Sequence, residues 1–232
     1  TIADAVNTVI QTIQLGVPVA RIELVNELGV RAINRFSKTT LREAPMLFFE
    51  FHGSPAGVDE QAHTVQELAS EHGGLDFEWA DRPEDRSRLW AARHDAYFAS
   101  LNLRPNSRAI TTDVCVPIST LAECVSATQD DIEASGLIAP IVGHVGDGNF
   151  HAIILVDPAD TDEVERAGAL NRRIVERALA VGGTCTGEHG IGIGKQGFLV
   201  QEHGEAVDFM RAIKLALDPH NLLNPGKVVP GL

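Results

Sequence analysis

The chain has 232 residues, 44% hydrophobic and 22% charged, a globular composition with apolar material enough for one large domain or two small ones. Its formal net charge of −13 argues against nucleic acid or an anionic membrane surface as a partner. Three widely spaced cysteines (Cys115, Cys124, Cys185) form neither a disulfide framework nor a metal knuckle, which favours a reducing compartment, and no apolar run approaches the roughly 20 residues that span a bilayer.

Thr1 is not an initiator methionine, and Ile2 to Ile10 already carries helical apolar spacing, so the chain reads as a piece of something longer. That helix should run to about Leu15 and stop at Gly16. Val17 to Leu24 reads as a strand, Asn26 to Lys38 as a helix capped by Asn26, and Met46 to Phe51 as a strand. A helix over Asp59 to Glu71, a short strand over Leu75 to Ala80 and one long helix over Arg82 to Ser100 follow. Next come a strand over Ala109 to Val116, a helix over Ser119 to Ala134 capped by Ser119, a hairpin within Ile138 to Val156, and helices over Asp160 to Val181 and Gly204 to Leu217. This alternation predicts an α+β fold, a mostly antiparallel sheet with helices on one face. The nearest thing to a boundary is near Pro158, which divides a mixed-sheet segment, 1–158, from a helical and Gly-rich one, 159–232.

The chemistry concentrates in Gly143-His144-Val145-Gly146-Asp147-Gly148-Asn149-Phe150-His151. Asp-Gly between alternating apolar residues predicts a two-residue type I′ turn, since both positions tolerate positive φ. Folded there, Gly146 faces Asn149 and His144 faces His151, with Cβ atoms roughly 5 Å apart. A solvated or core histidine pair is the plain alternative to a pair that shares a metal ion. Glu188 and His189, in the Gly-rich Thr184 to Gly190 segment, supply a carboxylate and a third imidazole. Two histidines and a carboxylate suit zinc and other divalent first-row metals, and the remaining histidine, His189, suits a general base. The residues alone leave open a flavin-free metal-dependent hydrolase or lyase, since such a set also activates water, and a non-catalytic binding module.

Gly192-Ile-Gly194-Lys195-Gln196-Gly197 satisfies G-x-G-x-x-G, but no strand leads into it and none follows at the distance a dinucleotide fold needs. A phosphate loop fails too, because Gln196 stands where Ser or Thr is required.

Gly143 to His151, Gly182 to Gly190 and Asp218-Pro219-His220-Asn221-Leu222-Leu223-Asn224-Pro225-Gly226-Lys227 together resemble the C-terminal half of FAD-linked oxidoreductases of the vanillyl-alcohol oxidase type. Leu89 to His94 and Thr112 to Pro117 bring it closest to the cytochrome-linked D-lactate dehydrogenases, which are related to D-2-hydroxyglutarate dehydrogenase and the glycolate oxidase flavin subunit. The resemblance implies a substrate-binding cap built on a ferredoxin-like antiparallel sheet covered by helices, with a C-terminal helical segment returning to a flavin domain. It implies that His144, His151 and Glu188 hold a divalent metal, zinc foremost, that His189 takes the hydroxyl proton of a small 2-hydroxy acid, and that hydride leaves for the flavin. Arg93 is similar to the arginine that grips the substrate carboxylate, and Asn149 and Asn224 to residues touching FAD.

Relatives acting on 2-hydroxyglutarate tend to carry Asn at the position of Ile153 and Lys near Thr111, so a small monocarboxylate such as D-lactate is the expected substrate. Most FAD contacts would come from an FAD-binding domain in the same or another chain, and this chain alone should not turn over. The expected electron acceptor is a cytochrome or quinone, the expected location cytoplasmic and peripheral to the respiratory membrane, and there is room for a homodimer.

Overall fold

The computed structural model describes residues 1–80 and 82–232. Helix α1 (Ile2–Gln14) opens with a reciprocal capping box between Thr1 and Asp4 and stops before Gly16, whose φ of +73° a glycine adopts without a Cβ penalty. Strand β1 (Val19–Val25) leads into α2 (Glu27–Ser37), where the Asn26 side chain accepts the Gly29 N–H as the cap expected for it. Strand β2 (Met46–Phe51) has the expected bounds. Helix α3 (Pro55–Glu71) starts at Pro55 instead of Asp59, because Ser54 accepts the Gly57 N–H and Pro55 suits a first turn.

The expected strand over residues 75–80 is absent. Asp76 takes a positive φ of 51°, and Phe77 and Trp79 pack on one another, with Trp79 also against His63 of α3. The expected helix over residues 82–100 is two, α4 (Pro83–His94) and α5 (Ala96–Leu101), parted at Asp95 where ψ relaxes to −3°. The strand expected over residues 109–116 is likewise two, β3 (Arg108–Thr111) and β4 (Val114–Cys115). Thr112 and Asp113 leave the ladder between them and turn their side chains into the protein. A 3₁₀ turn over Ile118–Thr120 precedes α6 (Leu121–Ser135), so Ser119 is not its cap, and Thr120, which holds that position, makes no side-chain capping bond.

Strands β5 (Ile141–Gly143) and β6 (Asn149–Val156) form the hairpin, and α7 (Thr161–Ala180) follows, capped by Asp160. The Gly-rich stretch contains a helix that periodicity missed, α8 (Gln196–His203), before α9 (Ala206–Leu217).

The fold is the expected α+β type. Among the described residues the strands run β2-β1-β5-β6-β3, with β4 pairing the start of β6, and each pairing is antiparallel. Strand β6 is buried at all eight positions and divides the core by its alternation. Phe150, Ala152, Ile154 and Val156 meet α1, α6 and α7, whereas Ile153 and Leu155 meet α2, α4 and α5. Helices therefore cover both faces where one was expected, and polar residues that reach the second face must be satisfied inside the protein. Leu199, Val207 and Val229 form a separate small cluster beneath α8 and α9.

Candidate active site

The turn that carries the first two histidines is not the type I′ turn expected. Val145–Asp147 is a 3₁₀ turn, with Asp147 N–H donating to the His144 carbonyl (3.0 Å) and Gly148 N–H to that of Val145 (3.2 Å). Val142, not His144, lies opposite His151. The register thus differs by two residues, and an even shift leaves side chains on the same face. His144 and His151 consequently still meet, edge to face with ring centres 6.0 Å apart.

The segment bearing Glu188 and His189 is drawn to the same place by the sheet. Thr184 and Cys115 exchange backbone hydrogen bonds (2.8 and 3.3 Å), and Gly187 N–H donates to the Asp113 carbonyl (3.1 Å). Gly187 is required there, because a Cβ would lie 1.9 Å from Asn149 Nδ2. The Asp113 carboxylate, fully shielded from solvent, then receives donors from several directions. Oδ1 accepts from Asn149 Nδ2 (3.1 Å) and Glu188 N (3.2 Å), and Oδ2 from Lys195 Nζ (2.8 Å), His189 N (2.9 Å) and Thr186 Oγ1 (2.9 Å). Burial on its own would raise the pKa of this carboxyl; the bonds from Lys195, His189, Asn149 and Thr186 outweigh it and hold the group well below the ordinary carboxylate range.

Around this anchor three imidazoles converge on one oxygen. Glu188 Oε1 lies 3.0 Å from His151 Nε2, 3.4 Å from His189 Nε2 and 3.5 Å from His144 Nε2. Two of the rings are held from behind, His151 Nδ1 by the Thr112 carbonyl (2.9 Å) and His144 Nδ1 by Glu23 Oε1 (2.8 Å). His189 stacks on His151, with centres 5.0 Å apart and planes 19° from parallel. Their environments push the first two in opposite directions. Burial lowers the His151 pKa against the Thr112 bond, whereas the Glu23 hydrogen bond raises that of His144.

His151 Nε2 is buried and finds no hydrogen-bond partner among the described residues, although Glu188 Oε1 is only 3.0 Å away, because the two do not meet in hydrogen-bonding geometry. A carbonyl behind Nδ1 puts the proton there, which leaves an unused lone pair on Nε2 beside a carboxylate. Two acceptors at that distance suit a shared cation, so the donor set fits a metal. Asp113, His151, Glu188 and His189 also offer ligand atoms within 4.8 Å of one another, but the five donors on Asp113 leave its carboxylate little capacity for an ion. His189 belongs to this group and His144 does not, although His144 Nε2 and His189 Nε2 lie at nearly equal distances from Glu188 Oε1.

These groups line an open cleft of about 280 Å³, together with Arg93, Thr111 and Ile153, the last two paired across β3 and β6. Arg93 is 8% exposed; its Nη2 donates to Glu23 Oε2 (2.7 Å), while Nε is buried without a partner among the described residues. Burial pulls its pKa down against the attraction of Glu23. The two residues expected to touch FAD do not face the cleft. Asn149 is buried, with its amide nitrogen spent on Asp113 and the Val114 carbonyl (3.0 Å), and Asn224 is exposed outside the cleft lining.

Sequence reasoning missed Asp113, Glu23 and Lys195. Asp113 left one trace, a strand-averse residue in the β-prone run Ala109 to Val116. Glu23 left none, since Arg21 and Glu23 alternate with apolar residues as a solvated strand face would.

The chain matches the family model described as FAD linked oxidases, C-terminal domain, over residues 1–228. It is 49% identical over 229 residues to a zebrafish (Danio rerio) protein named probable D-lactate dehydrogenase, mitochondrial, covering 98% of this chain and 46% of that one. It is 44% identical to an Arabidopsis thaliana D-lactate dehydrogenase [cytochrome], mitochondrial (99% and 41%), and 31% identical to glycolate oxidase subunit GlcD of Bacillus subtilis (97% and 48%). The chain thus spans about half the length of the curated relatives it matches. The solved structure of a 4-ethylphenol oxidase from Gulosibacter chungangensis shares the fold, with a TM-score of 0.71 at 16% identity over 97% of this chain and 51% of that one. Among the described residues no helix is long and apolar enough to cross a membrane.

Proposed function

The chain belongs to the C-terminal domain family of FAD-linked oxidases, and from that premise we propose that it is the substrate half of an FAD-dependent dehydrogenase of small 2-hydroxy acids, D-lactate foremost. In this reading His144, His151 and Glu188 hold a divalent metal, zinc first among the candidates, and His189 is the base. The observation that carries it is the buried His151 Nε2, without a hydrogen-bond partner among the described residues, its proton kept on the other nitrogen by Thr112 and Glu188 Oε1 only 3.0 Å away. The relatives named D-lactate dehydrogenase [cytochrome] support the substrate class and a cytochrome as electron acceptor.

When bound, the metal supplies Lewis-acid polarisation of the substrate hydroxyl and the flavin supplies the hydride acceptor. The chain's own residues do the rest. Arg93, in the cleft wall and held by Glu23, supplies the positive charge for the substrate carboxylate. His189, half exposed at the mouth and stacked on His151, takes the hydroxyl proton on its imidazole. Ile153 and Thr111 line the cleft without a charge, which favours a monocarboxylate over an acid with a second carboxylate to pair. Most FAD contacts would come from the part of the protein that the relatives have beyond the matched length, with Asn149 and Asn224 as this chain's own contributions.

Elemental mass spectrometry of the purified chain tests the metal reading: near-stoichiometric zinc, manganese or iron is expected, with loss in His151→Ala. A chain that stays metal-free after soaking at micromolar zinc overturns it. In a flavin-bearing protein, D-lactate should bleach the flavin, and His189→Gln should slow that step by about 10²–10⁴-fold.

A further inference from the structure

We propose that Glu23 is a positioning residue for both sides of the cleft, setting the tautomer of His144 and the posture of Arg93 with one carboxylate. This rests on the reading of His144 as a metal ligand. The β1–β5 register pairs Leu24 with Gly143, so Glu23 sits beside His144, and its side chain is only 6% exposed. Its oxygens are divided, with Oε1 taking His144 Nδ1 at 2.8 Å and Oε2 taking Arg93 Nη2 at 2.7 Å.

An ionised carboxylate only accepts, so His144 must present its N–H at Nδ1, and the neutral ring then carries its lone pair on Nε2. Nε2 is the atom that lies 3.5 Å from Glu188 Oε1. On the other side the same carboxylate engages Nη2 of Arg93, a residue of the cleft lining, and so fixes where its guanidinium lies. One residue thus turns a lone pair toward the cation site and holds a guanidinium at the cleft wall for a ligand carboxylate. The Arg93 charge in turn makes a buried Glu23 tolerable, since an unpaired buried carboxylate would be costly.

Glu23→Gln keeps the shape and breaks this logic. The amide has one acceptor, which Arg93 demands, so its NH₂ turns to His144 Nδ1 and can be accommodated only if the proton moves to Nε2. Zinc affinity, measured by competition with a chromogenic chelator, should fall about 10–100-fold, as for other groups behind a ligating histidine. The ¹⁵N spectrum of the metal-free chain should show His144 switching from the Nδ1–H to the Nε2–H tautomer, a change that loss of packing alone would not produce.

Unchanged zinc affinity, or a His144 that keeps its Nδ1 proton in the variant, overturns the proposal. If the variant does not fold, the metal-free wild-type chain at pH 8.5 decides, because an Nε2–H tautomer there is incompatible with Glu23 setting the ring. A wild-type chain with the Nδ1–H tautomer but no zinc affinity would sink the metal reading and leave the Glu23 assignment standing.

Discussion

Replacing Asp113 with asparagine should loosen the whole site, and the hydrogen bonds around it set the size of the effect. Five donors converge on this carboxylate: Asn149 at Oδ1, Lys195, His189 and Thr186 at Oδ2, and the Glu188 N–H shared between the two oxygens (3.2 and 3.3 Å). An amide nitrogen placed at Oδ2 would face three donors that have no other acceptor there, so the substituted side chain settles with its nitrogen at Oδ1, loses the Asn149 bond and keeps Glu188 only through Oδ2. Lys195, its side chain 18% exposed, loses its charge partner as well. Removing one member of a buried ion pair costs about 3–5 kcal/mol, and the partial exposure of Lys195 puts this case near ~3 kcal/mol. For a chain of this size that is a fall in Tm of about 6–12 °C.

Urea unfolding followed by circular dichroism at pH 7 measures it, and a loss under about 1 kcal/mol would refute the account of Asp113 as anchor of the Thr186 to His189 segment. The pH dependence is a second check. Because the folded-state pKa is depressed, the carboxylate contributes stability above the unfolded value near ~4 and loses it as pH falls below. The gap between wild type and Asp113→Asn should therefore narrow in acid; a constant gap down to pH 3 would mean that the carboxylate charge is irrelevant.

Gly187→Ala should cost about 1–3 kcal/mol through the contact of its Cβ with Asn149 Nδ2, and combining it with Asn149→Ala should cost less than the sum, as urea midpoints of the four proteins will show. Sums additive within about 0.5 kcal/mol would deny the contact. Thr111→Lys with Ile153→Asn, in a flavin-bearing protein, should shift kcat/KM away from D-lactate and toward a five-carbon 2-hydroxy dicarboxylate, because the two face each other across β3 and β6 at the cleft; an unchanged ratio would remove these positions from substrate selection. At the far end, Asp218 is held at about 2 by Lys214 and by the N–H groups of Leu222 and Leu223. Hydrogen-exchange protection of those two amides should persist above pH 4 and disappear as pH falls toward 2, whereas loss near pH 5 would contradict the bonding seen.

How much of this is legible in the chain differs from residue to residue. The cap at Asn26, the stop at Gly16 and the bounds of β2 are local events, decided by side chains within a few residues of the backbone groups they satisfy, and the sequence shows them where the structure has them. The place of the hairpin is legible in the same way, but its turn is not. Asp147-Gly148 is compatible with a tight turn, yet Gly148 closes a 3₁₀ turn instead, in a position where a Cβ would meet the Val116 carbonyl at 2.2 Å. That constraint comes from the residue just after β4, far earlier in the chain. The break between β3 and β4 is similar, since Thr112 and Asp113 leave the ladder to satisfy Ala152, Asn149, Lys195 and the Gly187 segment, all distant in sequence.

By itself, then, the sequence determined that His144 and His151 share a hairpin and that their donor sets could serve one site, because a side chain's donor set and an even strand period are local properties. Tertiary structure alone decided that three imidazoles meet one carboxylate oxygen, that Arg93 is shared with Glu23, and that Asp113 holds the returning segment in place. The physical reason is burial. A charged residue on an alternating strand looks solvated until helices cover both faces of the sheet, and only then must each buried carboxylate find the donors that make it an organiser of the site.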